Sequence, residues 1–369
     1  MFSQNQYSGD DNSQGRNLRL LIIGNRSGSS VGGSFARACD EIGVSFSQIE
    51  SEGAMRGPAL PRRLLWHFWD HKPIRLGEFS AEVVEFCRTR RPSVILSTGI
   101  APLTAEALGR IKKIGCYCTN YLTDDPWNPS HRSRWFLRAL PIYDHVFTTR
   151  RVNISDLQAL GVRRVSYLPF AWDPTLCPER EYSENDLQEY SADIVFAGGG
   201  DRDRVPYFVA LARAGLRVAL YGSYWDRFAG TRRLARGRLE VPDLPKAIAG
   251  ARIALCLVRR ANRDGHCMRT FEVPAAGGCM LTEDTEEHRE ILGREGDCVL
   301  YFRTMDEMIA KAKWLLQNNT ERARLAFALR AHIRTSSNTY ANRMTQILEA
   351  VAKVDRSNGK PRSIDIPEL

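Results

Sequence analysis

The 369-residue chain has no run of 18 apolar residues, so the sequence predicts no membrane-spanning helix. Its first 17 residues, MFSQNQYSGDDNSQGRN, lack both a basic start and an apolar stretch, which argues against a secretory leader and for a disordered tail. Paired cysteines are missing too. There are nine, an odd number without regular spacing, and Cys39, Cys87, Cys256 and Cys279 sit in or beside apolar runs as small core residues. Cys116 and Cys118 alternate along one strand, but no second pair stands at zinc-ligand spacing, so neither a disulfide framework nor a metal site is expected. A reducing cytoplasm fits this usage. No basic helix, RNP motif, zinc finger or helix-turn-helix array is present, which leaves nucleic-acid binding through the net charge as a distant third reading. GxGxxG and Walker A spacings are also absent.

What is there is ordinary globular material, 43% hydrophobic and 26% charged, with a net charge of +9 spread through every segment. That charge favours an anionic partner: nucleic acid, a phosphorylated substrate or an acidic lipid surface on which the chain would dock peripherally, unless the protein is simply basic all over. The length suits two domains that share a cleft.

Short β-branched runs recur: LRLLIIGN, VSFSQIE, SVILSTG, IGCYCTNYL, HVFTTR and VSYLPFA, separated by helix-like segments such as 79–90 and 103–113. This βαβ alternation implies a parallel sheet with helices on both faces. A polar interval, DPTLCPEREYSENDLQEYSA, reads as a connection, and the alternation then restarts with DIVFAGGG, RVALYG, ARIALCLV, GCMLTE and CVLYF. Helical patterns over 305–317, 321–334 and about 340–354 follow. The expected organisation is an N-terminal Rossmann-like domain over 18–171, a second over 172–340, a closing helix over 341–355 and a flexible tail over 356–369.

Ligands of open α/β sheets bind beyond the carboxyl ends of the strands, so the loops there carry the candidate chemistry. The loop holding Gly24, Gly28, Gly32 and Gly33 could present helix N–H groups to an anion, or merely make a tight turn. In the second half, Gly198, Gly199 and Gly200 precede Arg202 and Arg204. A bare backbone turn beside guanidinium groups suits a diphosphate, and the alternative is a turn with solvated arginines. The third loop leads into RTFEVPAAGGCMLTEDTEEHREIL. Asp264 and Glu272 could share one rim of the cleft and accept hydrogen bonds from ribose or sugar hydroxyls, with Arg269 as compensating charge; the alternative is a capped helix with one exposed glutamate. Gly277 and Gly278 end that helix, and the acids from Glu283 to Glu287 read as a solvated helix start.

The stretch from Arg269 to Asn318 resembles the C-terminal half of group 1 glycosyltransferases of the GT-B fold, closest to the spore-maturation, CgeB-like branch. YLTDDPWNP, YDHVFTTRRVNISDLQALGVRRVSYLPFAWDP and DIVFAGGG resemble successive blocks of that branch in the same order. The family pattern has an acid, seven residues, then a glutamate; Asp264 here replaces the usual first glutamate with a shorter side chain, and Glu272 is the second. The resemblance implies a nucleotide-diphosphate sugar as donor and no cofactor. It assigns Glu272 to the ribose, and Arg269, Arg204 and the N-terminus of the Glu272 helix to the diphosphate. Lys246 is a further basic candidate, or a solvated helix lysine. In the first half, Asp124 and Asp125 follow a strand directly, beside Trp127. They suit acceptor hydroxyls or proton abstraction, while Asp125 before Pro126 could equally cap a helix. His266 is the better placed of two histidines for a general base at the cleft, and His288 reads as structural. The function expected is sugar transfer to an unidentified acceptor hydroxyl on a glycan, lipid or protein. Its rival is a non-catalytic nucleotide-sugar-binding or scaffold protein keeping the fold, a reading that the aspartate at 264 sustains.

Overall fold

The computed structural model describes residues 19–357. All eleven expected strands form, and every pairing is parallel. The first six are β1 (Leu20–Ile23), β2 (Phe46–Ile49), β3 (Val94–Thr98), β4 (Tyr117–Leu122), β5 (His145–Thr148) and β6 (Val165–Tyr167). They make one sheet in the order β2-β1-β3-β4-β5-β6. A second sheet, ordered β11-β10-β9-β7-β8, holds β7 (Ala192–Ala197), β8 (Val218–Tyr221), β9 (Ala251–Cys256), β10 (Met280–Glu283) and β11 (Leu300–Phe302).

The central strands are apolar on both faces because helices cover both sides. Leu21 and Ile23 of β1 pack under helix Leu76–Arg90 with Phe79 and Val83, whereas Leu20 and Ile22 face Phe35 of helix Val31–Glu41. Local signals place these helices. Ser30 caps Val31–Glu41 by accepting the Gly33 N–H, and Thr104 caps Ala105–Ile114, which ends at Gly115 in the left-handed conformation. In the second domain, Ile194, Phe196, Phe208 and Trp225 fill one side of the sheet and Phe271, Val273 and Met280 the other.

The last described helix crosses back. Met305–Gln317 and Asn319–Thr335 pack on the second sheet, but Tyr340–Ser357 buries Tyr340, Met344, Ile347 and Leu348 against Leu20, Ile22 and Phe35 of the first. The two crossings run side by side: the Trp172 N–H donates to Asn338 O (3.0 Å) and the Tyr340 N–H to Trp172 O (3.2 Å). Arg343, 3% exposed, ties them together by donating to the carbonyls of Pro169, Phe170 and Ser337. This buried guanidinium meets backbone and amide carbonyl oxygens, and among the described residues it pairs with no carboxylate.

Candidate active site

The carboxyl ends of both sheets face one cleft, which holds two cavities of about 340 and 470 Å³. They share Ser29, Ala197, Gly198, Gly199, Arg259 and Arg269. The smaller one reaches Thr123, Asp124, Arg150, Arg204 and Asp264, and the larger one Tyr221, Tyr224, Val241, Leu244 and Glu272.

The floor is the glycine turn after β7. Trp225 donates its indole N–H to Gly198 O (2.8 Å), and the Gly200 N–H donates to Ser223 O (2.8 Å). Gly222, at φ +134°, lies so close beneath that a Cβ there would collide with the Gly198 carbonyl. Gly199 borders both cavities. Gly200 packs against Trp225 instead and lines neither, so it shapes the turn rather than contacting the cleft. Arg204 lies over the Phe196 ring at 5.3 Å and donates to Gly199 O (3.1 Å) and Leu257 O (3.2 Å). Its buried Nε has no hydrogen-bond partner among the described residues, and the nearest carboxylate oxygen, Asp201 Oδ2, stands 3.7 Å away.

Helix Arg269–Ala275 enters at the junction of the cavities. Arg269 donates its Nε–H to Ala197 O (2.9 Å) and pairs through Nη1 with Glu272. Glu272 is 4% exposed overall and lines the larger cavity, so it is not the solvated residue of the alternative reading.

The other predicted residues fare differently. Asp264 does border the smaller cavity, but it accepts Arg150 Nε–H at 2.5 Å and the Arg259 N–H at 3.2 Å, and Arg150 is itself 3% exposed in its side chain. Burial raises the Asp264 carboxyl above its ordinary value, and Arg150 only partly offsets this. Asp264 and Glu272 therefore open onto different cavities, and do not share one rim. Lys246 lines neither cavity. It stands on helix Asp243–Gly250 and is paired with Asp186 (2.9 Å) and Asp243 (3.5 Å), pinning the helix Glu184–Glu189 of the polar interval.

The aspartate pair splits. Asp124 faces the smaller cavity and accepts from Asn262 Nδ2 (3.2 Å) and Thr123 Oγ1 (3.0 Å). Asp125 is 1% exposed and fully engaged, accepting from Arg263 Nε (2.5 Å), Asn153 Nδ2 (3.1 Å) and the Trp127 N–H (3.1 Å). Burial pushes its carboxyl up, but Arg263 and the other donors win and hold it below the ordinary range. It is neither a base nor a helix cap; it closes a turn and anchors Arg263. That arginine adopts φ +49°, a conformation that turns it back across the cleft toward Asp125 and Asp156 (2.8 Å).

His266 is no base either. At 1% exposure it accepts the Phe170 N–H at Nε2 (3.2 Å), which leaves the proton on Nδ1 to donate to Glu287 Oε2 (2.5 Å). Glu287 also accepts the Arg151 N–H (3.1 Å) and the Tyr167 hydroxyl (3.3 Å), and Glu283 accepts the Val258 N–H (2.7 Å). Both glutamates are buried, so the acidic run is not a solvated helix start; of its glutamates only Glu286 is exposed. Together Asn128–Asn262, Asp125–Arg263, Arg150–Asp264 and His266–Glu287 form a polar seam beside the cleft, three of them joining one domain directly to the other.

His288 is structural. It is buried between the hydroxyls of Thr270 (3.0 Å) and Thr282 (3.2 Å), and burial lowers its pKa to about 4. Burial does the same to His145, also to about 4, under Phe147. The unfolded chain takes up these protons near pH 6.5 while the native one refuses them until about 4. Stability is therefore whole above that window and falls as pH drops through it. Thermal melts between pH 7 and pH 4.5 should show this loss, with a flatter dependence in His288→Gln; a melting temperature constant over the window would contradict it.

Four cleft residues, Arg150, Arg259, Asn262 and Arg263, carried no functional assignment from sequence. Arg150 and Arg259 each follow a strand end within three residues, the position at which open α/β sheets bind ligands, and that offset was the available signal.

Two parallel Rossmann-like sheets opposed across a cleft, with the terminal helix returning to the first, define the GT-B fold. Residues 204–349 match the family model described as glycosyl transferase-like. No curated protein matches the chain by sequence. Solved structures match its shape over nearly its whole length. Sucrose-phosphate synthase from Thermosynechococcus elongatus superposes with a TM-score of 0.67 at 10% identity, covering 92% of this chain and 100% of that one. Anabaena HepE in complex with UDP gives 0.59 at 12% identity, with 91% and 100% coverage. A UDP-N-acetylglucosamine 2-epimerase from Listeria monocytogenes, described as putative, gives 0.55 at 14%, with 95% and 98% coverage.

Proposed function

We propose that this chain transfers a sugar from a nucleoside-diphosphate sugar to an acceptor hydroxyl. The observation that carries this is the position of Arg269, at the junction of the two cavities, with Glu272 on one side of it and Arg204 and Asp264 on the other. The larger cavity, walled on part of its surface by Leu176, Tyr221, Tyr224 and Val241, has the size and an apolar side for a base, and Glu272 in its wall accepts from ribose hydroxyls. The diphosphate lies over the Gly198–Gly199 turn between Arg269, Arg204 and Arg259. These guanidinium groups stabilise the charge that develops as the diphosphate leaves, so no metal is required for that step. The sugar then occupies the smaller cavity, and Asp124 is the first-domain carboxylate placed to hydrogen-bond the acceptor hydroxyl.

The family match over residues 204–349 and the fold shared with HepE, which was solved in complex with UDP, support the reading. It is tested by incubating the chain with UDP-, GDP-, ADP- and TDP-sugars and measuring release of the nucleoside diphosphate. One donor should be hydrolysed slowly without acceptor. Binding of a donor with neither hydrolysis nor transfer would favour the non-catalytic reading, and formation of an epimerised donor would replace transfer by epimerisation.

A further inference from the structure

Helix Ala59–Phe68 turns Leu60, Leu64 and Phe68 outward at four-residue spacing, and Trp69 extends the row; they are 70%, 43%, 73% and 61% exposed. Single apolar residues are scattered over every soluble surface, but a stripe along one helix face marks an interaction site. The flanks are basic. Residues 56–72 contain Arg56, Arg62, Arg63 and Lys72 against one acid, Asp70, whose carboxylate already accepts the Arg134 and Trp135 N–H groups. Apolar and aromatic side chains along one face with arginines beside them are the chemistry of a helix lying in an anionic lipid interface.

The inner side of the same helix leads toward the site. Trp66 lines a cavity of about 220 Å³ with Met55, Pro73, Ile100 and Trp135. That cavity shares Asn25, Ser51 and Ile100 with a recess of about 250 Å³, which in turn shares Ser30, Val31 and Thr123 with the smaller cavity of the cleft. A chain of recesses thus runs from beneath this helix to the cleft through the first domain.

We propose that the Leu60–Trp69 face docks this protein on an anionic membrane surface. The outward side chains enter the headgroup region and Arg56, Arg63 and Lys72 meet lipid phosphates. Docking in this orientation places the helix that carries Trp66, and so one wall of the 220 Å³ cavity, at the bilayer. The proposal goes beyond the transfer reading and does not depend on it, because lipid binding is measured without any nucleotide.

The test is flotation of the full chain with vesicles of phosphatidylcholine alone or with about one third phosphatidylglycerol. Wild type should float with the anionic vesicles and roughly tenfold less with the neutral ones, and added salt should weaken the binding. Leu64→Ser with Phe68→Ser should reduce flotation about tenfold or more, and Arg56→Glu with Arg63→Glu should remove the preference for anionic lipid. Because these side chains are exposed, circular dichroism and melting temperature should match wild type in both variants. Wild type that stays unbound with anionic vesicles, or flotation unchanged by either double substitution, would overturn the proposal. So would a dimer in light scattering that Leu64→Ser with Phe68→Ser dissociates while wild type fails to float, since the face would then be covered by a second copy.

Discussion

Glu272→Gln should bind its nucleoside-diphosphate sugar roughly 10- to 100-fold more weakly than wild type, while folding normally. Glutamine has the shape of glutamate and can still accept the Arg269 N–H, so packing around the 4%-exposed side chain is kept. What is lost is the charge on an oxygen that accepts from ribose, and a hydrogen bond to a charged group contributes about 1.5–3 kcal/mol. The loss should be equal for the free nucleoside diphosphate and for the sugar-bearing donor, because the ribose is common to both. Arg204→Met separates the roles: its affinity should fall for diphosphate ligands and stay unchanged for the bare nucleoside. Isothermal titration with the donor that wild type hydrolyses reads both. Wild-type affinity in Glu272→Gln would remove Glu272 from the nucleoside site; a loss confined to the sugar-bearing ligand would move it to the sugar.

The sequence exposed what depends on local pattern and concealed what depends on pairing across the fold. All eleven strands were legible because a parallel sheet covered on both faces needs continuous β-branched runs between helical segments, and each run is visible by itself. The glycine turn at Gly198–Gly199 and the placement of Arg269 and Glu272 on one short helix were legible for the same reason. The fates of Asp125 and His266 were not. Each is an acid or a histidine at a strand end or loop, as a catalytic group would be, and only the approach of Arg263, 138 residues from Asp125, and of Glu287 and Phe170 to His266 shows that their lone pairs are spent. Lys246 was misplaced by the same ignorance, since its partner Asp186 sits in the interval that reads as a mere connection. Asp264 shows the limit most clearly. Eight positions before Glu272 it looks like a matched acid, yet its carboxylate is held by Arg150, 114 residues earlier and from the other domain.

That pair bears on catalysis as well as on stability. Asp264→Ala should lower stability by about 3–5 kcal/mol, because it leaves the Arg150 guanidinium buried without its counter-charge. In a protein of this size each kcal/mol moves the melting temperature by about 1.3 °C, so the melt should fall by roughly 4–7 °C. Arg150→Ala should cost a similar amount, by leaving Asp264 ionised in a site that already raises its carboxyl pKa, and this variant should recover part of the loss as pH falls and the acid takes up a proton. Arg150→Met combined with Asp264→Leu fills the same space without charge, and should melt within a few degrees of wild type. The combination then isolates chemistry from folding. If Asp264 only closes the seam between the domains, the double variant keeps both donor binding and turnover. If its carboxylate also touches the donor sugar in the smaller cavity, the double variant is folded, binds the nucleoside diphosphate as wild type does through Glu272 and Arg269, and releases none from the donor. Single variants that melt within about a degree of wild type would show that the pair contributes nothing to the fold, and Asp264 would then stand free for the sugar.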